Sequence, residues 1–290
     1  MIENIVLSRD HRGVSALRPY MPQDFCERAA ALVLEHPGTV LIATGFFIPS
    51  AQATETDGPP GAVALGRALL LLGYDVAYVT DRYTAPLLQE LAGRNARVFE
   101  FPIADHEASR AHARELLAAV APSVLVAIER CGLTGEGLYR NMRGNDVSEY
   151  HAKLDYLFLE HPCSIGVGDG GNEIGMGNLA PVIPLATPIT GPPCATRTTR
   201  LVVASVSNWG AWGVAAALSR QRGRNVLISI EESRELIDRT IELGAVDGVT
   251  ARRAGSVDGF PPEDNERVLA EMHAWLARHR VAAGWPVSLP

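Results

Sequence analysis

The sequence predicts an α/β fold: a mostly parallel sheet with helices on both faces, Rossmann-like in plan. Three observations predict it. Short, uniformly apolar runs recur along the chain, as strands buried on both faces require. Helical stretches of ten or more residues separate many of them, the pattern of βαβ units. Several runs end in polar or glycine-rich loops, and open sheets of this kind hold ligands at the carboxyl ends of their strands.

The elements follow in order. An amphipathic helix at about 22–35 precedes the sheet. Val40–Thr44 is the first strand, and Pro59 and Pro60 suit the first turn of a helix from Pro59 to about Leu72. Asp75–Thr80 and Arg97–Phe101 are the next strands, with helices near Thr84–Ala92 and Glu107–Val120. Ser123–Ile128, Ser164–Val167 and Leu201–Ser205 continue the series, the last leading into a helix near Ala211–Arg220. Val226–Ile230 reads as a seventh strand before a helix over Glu231–Leu243. A helix at about 263–280 closes the chain, and all of 1–290 is read as one domain.

Composition narrows the function. With 290 residues, 47% hydrophobic and 20% charged, the chain has ample core and the balance of a globular enzyme. A net charge of −7 with no Lys/Arg block argues against a nucleic-acid or anionic-membrane partner. No apolar run is long enough to span a bilayer. Cys26, Cys131, Cys163 and Cys194 are scattered without a C-x-x-C, which suits a reducing cytoplasm. A homo-oligomer is compatible with everything read here.

The stretch Ser164–Asn178 is the most telling. Gly166, Gly168 and Gly171 satisfy G-x-G-x-x-G, yet the chain continues through five prolines where a helix should open. No Asp or Glu occurs from Ile174 through Ile230 to meet a ribose, so this is not a dinucleotide fingerprint. Instead Asp169, Asn172 and Glu173 stand among glycines whose N–H groups approach a ligand closely, with Gly168, Gly170 and Gly171 the nearest.

Other loops add candidates. Thr44, Glu55, Thr56, Asp57 and Gly58 lead into a helix N-terminus suited to a carboxylate, with Asp57 a natural N-cap for it. Glu129 follows a wholly apolar strand, so its carboxylate belongs at the strand mouth. Arg130 and Arg143, with Asn141 nearby, are placed to grip substrate carboxylates. Asn208, opening a helix after the sixth strand, closes the pocket. Lys153 is the only lysine, which singles it out as a deprotonatable amine or leaves it a chance surface residue. The cluster Thr196-Arg197-Thr198-Thr199-Arg200 either receives an anion or is a strand edge.

Residues 55–62 (Glu-Thr-Asp-Gly-Pro-Pro-Gly-Ala), Ile128-Glu129-Arg130, Asn141-Met142-Arg143-Gly144 and Gly166 through Asn178 together resemble the C-terminal domain of the D-glutamate cyclase family, in matching order over roughly residues 25–250. The resemblance implies a hydro-lyase that converts D-glutamate to 5-oxo-D-proline with loss of water, acting on a small anionic amino acid. Such chemistry needs an acid, a base and a group that neutralises charge. Asp169 and Glu173 are assigned as the acid/base pair, with Asn172 receiving the oxyanion and Glu129 alongside. A rival assignment has Asp169 and Glu173, with Glu129, hold Mg²⁺ or Mn²⁺, which prefer oxygen ligands. Two other classes stay open: a nucleotide- or phosphate-using α/β enzyme, and a non-catalytic amino-acid-binding module.

Overall fold

The computed structural model describes residues 1–281 and contains a six-stranded, wholly parallel sheet. Its strands are β1 (Thr39–Thr44), β4 (Asp75–Thr80), β5 (Arg97–Glu100), β6 (Val124–Ile128), β7 (Ser164–Gly168) and β8 (Arg200–Val203). A two-stranded ribbon, β2 (Phe47–Ile48) and β3 (Ala53–Thr54), interrupts the series after β1. The sheet order β5-β4-β1-β6-β7-β8 winds outward in both directions from β1 and β6, so the topological switch point lies between those two strands.

Strand residues alternate between two cores, as a period of two demands. Val40, Ile42, Val126 and Val167 face the larger one, formed with α2 (Phe25–Glu35), α3 (Pro59–Leu71), α8 (Ser207–Arg222), α9 (Ile230–Glu242) and α10 (Pro262–Arg278). Leu41, Ala43, Val79 and Ala127 face the other, against α5 (His106–Val120) and α6 (Asp155–Glu160). Burial on both faces is why these strands carry no polar alternation. Two short helices, α1 (Ile2–Val6) and α7 (Ile183–Ala186), pack at one side, and α4 (Ala85–Ala92) follows β4.

The expected seventh strand is not formed. Val226, Leu227 and Ile228 are buried, but they pack among helices and pair with no strand. Side chains take their amides instead: Ser219 Oγ accepts from Val226 N–H and Asn225 Oδ1 from Leu227 N–H. Ser229 then starts α9 with a reciprocal capping box to Glu232. Helix α8 begins four residues earlier than expected, directly at the mouth of β8. The closing helix is found within the described residues, at Pro262–Arg278.

Candidate active site

The ends of β1, β6, β7 and β8 converge on a cavity of 580 Å³. Glu55, Glu129, Asp169, Asn172, Glu173 and Ser205 line it from these strand mouths, with Gly170. The loop between α9 and α10 contributes Gly248 and Asp258, and the N-terminal segment contributes His11 and Arg12. Asn141 and Arg143 form part of the rim, where Arg143 is exposed.

Six carboxyl groups are buried in and beneath this cavity: Glu55, Asp57, Glu129, Asp169, Glu173 and Asp258. One partly buried guanidinium stands against them. Arg12 Nη1 lies 2.6 Å from Asp169 Oδ1, and its Nη2 lies 2.8 Å from Asp258 Oδ1. The segment that carries Arg12 is tightly held. Asp10 accepts from the N–H groups of Arg12, Gly13 and Ser15, Arg9 pairs with Asp264, and His11 stacks on Phe260 at 4.2 Å.

Charge arithmetic decides the protonation. Six carboxylates around one arginine, out of water, cannot all ionise. Burial is the main reason that Glu55, Glu129, Asp169 and Glu173 are pushed above the usual carboxylate range, and the negative charge of their neighbours adds to it for Glu55, Glu129 and Asp169. Asp57 is pushed up to about 8, by burial first and by Asp258 second. Asp258 moves the other way. Burial acts upward on it too, but the charge and hydrogen bond of Arg12, with hydrogen bonds from Asp169 and Asp57, hold it below the usual range. The cavity therefore contains acids shifted toward their neutral forms, with Arg12 opposing the shift at Asp169, beside Asp258, which Arg12 holds toward the ionised form.

Local packing aims each group. Glu129 ends β6 with φ of +43°, a left-handed conformation that is rare outside glycine. Its Oε2 accepts from Ser207 Oγ at 2.6 Å. Glu173 is threaded between glycines: its Oε1 accepts from Gly170 N–H at 2.6 Å, and a Cβ at Gly168 would stand 2.8 Å from its Oε2. Those glycines make room for the Glu173 carboxyl group, and of the two Gly170 lines the cavity while Gly168 does not. Glu173 Oε2 is buried and has no hydrogen-bond partner among the described residues. Oxygens of Glu129, Asp169 and Glu173 all lie within 4.8 Å of one another, and so do those of Asp57, Asp169 and Asp258.

Several predicted contacts are displaced. Arg130 does not reach the cavity: it is fully buried, with Nη1 2.6 Å from Asp81 Oδ2 and 2.9 Å from Gly45 O, and Nη2 2.9 Å from Ala152 O. Both residues lie beyond the end of β6, and past the left-handed turn at Glu129 the Arg130 side chain runs to Asp81, Gly45 and Ala152. Asp57 does not cap α3, the helix it precedes, but accepts from Ser207 and Asn208 N–H at the start of α8, each at 2.8 Å. The α3 amides of Gly58 and Gly61 donate to Asn208 Oδ1, so the expected carboxylate seat for a ligand is filled by the protein itself. Thr44 is buried beneath Gly58, and Thr56 Oγ1 donates to Ser256 O, so neither lines the cavity. Gly171, with φ of +87°, packs against Ile183 and Ile189 outside it. Lys153 Nζ donates to Ala104 O at 2.7 Å, also outside. Arg12 and Asp258 were not predicted, and Ser207 was read only as part of the helix-opening stretch that includes Asn208. Arg12 and Asp258 sit in stretches without periodicity or motif, and only the turn-like Asp258-Gly259 pair marked either of them.

Fold and site define a doubly wound α/β protein with a buried cluster of acids at its topological switch point. The chain belongs to the family described as D-glutamate cyclase-like, C-terminal, whose sequence profile matches residues 2–273. It is also similar to the mitochondrial D-glutamate cyclase of Homo sapiens, at 34% identity over 211 residues. That alignment takes in 65% of this chain and 34% of the human protein, so it spans about a third of that relative's length. Among the described residues no helix is long and apolar enough to cross a membrane.

Proposed function

We propose that this chain is a hydro-lyase that cyclises D-glutamate to 5-oxo-D-proline with loss of water. Family membership supports the substrate class, and the observation that carries the chemistry is the buried set of mostly neutral acids around one ionised carboxylate.

The reaction sets a strict proton count. The ammonium nitrogen loses two protons as it becomes a lactam N–H, and the γ-carboxylate gains two as one oxygen leaves as water. Nothing is gained or lost overall, so the site must pass two protons from nitrogen to oxygen. Asp258, held ionised by Arg12, is suited to take the first proton from the ammonium. Glu173 and Asp169, kept neutral by burial, are suited to protonate the departing oxygen. Asn172 offers an amide to the oxyanion that forms, and Arg143 at the rim meets the α-carboxylate. Enclosure holds the amine near the γ-carbon, which supplies much of the acceleration. A cytoplasmic location belongs to the same reading, supported by four free cysteines.

A second reading adds a divalent cation, Mg²⁺ or Mn²⁺. The carboxyl oxygens of Glu129, Asp169 and Glu173 converge, and Glu173 Oε2 lacks a partner, which fits an oxygen-liganded metal. Such an ion would supply positive charge against the γ-carboxylate. Activity that survives exhaustive chelation removes this version.

The decisive experiment incubates purified protein with D- and L-glutamate separately and detects oxoproline by mass spectrometry. Formation from the D isomer is expected. Binding of D-glutamate without product would make the chain an amino-acid-binding module instead.

A further inference from the structure

A second cavity, of 240 Å³, opens at the amino end of the sheet's edge strand, away from the strand mouths that hold the acids. Its character is the reverse of the first. Arg28, Arg197 and Arg200 line it in a chain whose net charge is −7. Arg28 is neutralised by Asp24, 2.7 Å away. Arg197 and Arg200 have no acidic partner within ion-pair distance among the described residues. Arg200 Nε is buried with no hydrogen-bond partner there, although a guanidinium N–H out of water calls for an acceptor. The first turn of α2, an eleven-residue helix, borders the same cavity through the apolar Phe25, while its Cys26 N–H donates to the Glu3 carboxyl group, so the arginines alone give the cavity its charge.

The segment that presents these arginines is rigid. Asn178 clamps Thr198 in both directions, donating to its carbonyl at 2.9 Å and accepting from its N–H at 3.0 Å. Thr198 Oγ1 donates to Arg200 O at 2.7 Å. Leu201 and Phe25 give the cavity apolar surface, and Tyr20, largely exposed, stands at its edge. Two arginine forks suit a dianion best, and the apolar surface leaves room for an organic group beside it.

From this convergence of Arg197 and Arg200, neither with an acidic partner among the described residues, on one partly apolar cavity, we infer that it is a binding site for a small organic phosphate, separate from the acidic site. Its ligand is an effector or a second substrate carrying a phosphate monoester. The site stands independently of the proposed cyclisation.

Calorimetric titration in low-chloride buffer tests it, using inorganic phosphate, phenyl phosphate and glutarate as probes on the whole chain. Saturable 1:1 binding is expected, tightest for phenyl phosphate. Arg197→Gln, at an exposed position that folding does not need, weakens phenyl phosphate at least threefold, and Arg197→Gln with Arg200→Gln weakens it at least tenfold. Glu173→Gln leaves it unchanged. Unaltered binding in both arginine variants, or no saturation by any probe at tens of millimolar, overturns the inference. Tighter binding of glutarate than of phenyl phosphate overturns the assignment to a phosphate.

Discussion

Asp57 and Asn208 cap each other's helices. The Asp57 carboxyl receives the first two amides of α8, and Asn208 Oδ1 receives Gly58 N–H at 3.0 Å and Gly61 N–H at 2.7 Å at the start of α3. The exchange pins two helix N-termini together at the floor of the acid cluster. Asn208→Ala leaves the buried Gly61 N–H without an acceptor, while Gly58 N–H keeps Asp57 Oδ1 at 3.0 Å, and a loss of about 1–3 kcal/mol is expected. Urea denaturation followed by circular dichroism measures it.

Asp57 also makes stability depend on pH. Its carboxyl titrates at about 8 in the folded chain and near the ordinary 3.8 when unfolded. Between those values the folded state holds the extra proton, so stability is full below pH 4 and falls as pH rises toward 8. Glu55, Glu129, Asp169 and Glu173 shift in the same direction and add to the slope. The midpoint of denaturation is expected to fall from pH 5 to 8, and to fall less steeply in Asp57→Asn.

Removing an acid should separate chemistry from folding. Glu173→Gln keeps the shape and the hydrogen bond from Gly170 but cannot give up a proton in the same way. A drop in kcat of about two orders of magnitude is expected, with a thermal midpoint close to the parent's. A kcat within a factor of three of the parent's would remove Glu173 from the mechanism.

Arg12 is expected to control the acid limb of the rate profile. It keeps Asp258 ionised, and without it Asp258 would join its raised neighbours. In Arg12→Met the ascending limb of kcat/KM therefore moves to higher pH, because the base is lost to protonation sooner. An unmoved limb would show that Asp258 is not the base.

Arg130 offers the contrast. Asp81→Ala would strand its guanidinium in the interior, at an expected cost of about 3–5 kcal/mol. Enough folded enzyme at low temperature should retain near-parent KM, since Arg130 lies outside the cavity. A large rise in KM with stability intact would restore Arg130 to the substrate.

Most of the six paired strands were legible as apolar runs, a pattern that two-sided burial demands, whereas the half-exposed edge strand β5 keeps only Val98 and Phe99 between charged ends. The same rule misread Val226–Ile228, where burial comes from helices and capping side chains take the amides. At the site, the acids next to strand ends were legible: Glu129 and Asp169 follow β6 and β7 directly. Arg12 and Asp258 were not, because they meet only when an N-terminal segment and a late loop fold over the same sheet edge. Direction was the harder part. Its place beside Glu129 made Arg130 look like a substrate-gripping residue, and the left-handed turn at Glu129 lies between the cavity and the buried pair that Arg130 makes with Asp81.

The left-handed turn at Glu129 has a consequence for how this protein would evolve in the laboratory. Glycine would sit in that backbone without steric cost, while a glutamate is held there only by its surroundings. A screen rewarding heat resistance alone would find Glu129→Gly attractive, because one change relieves the turn and removes a buried acid. A glutamate that persists in such a backbone is held against the local preference of the chain.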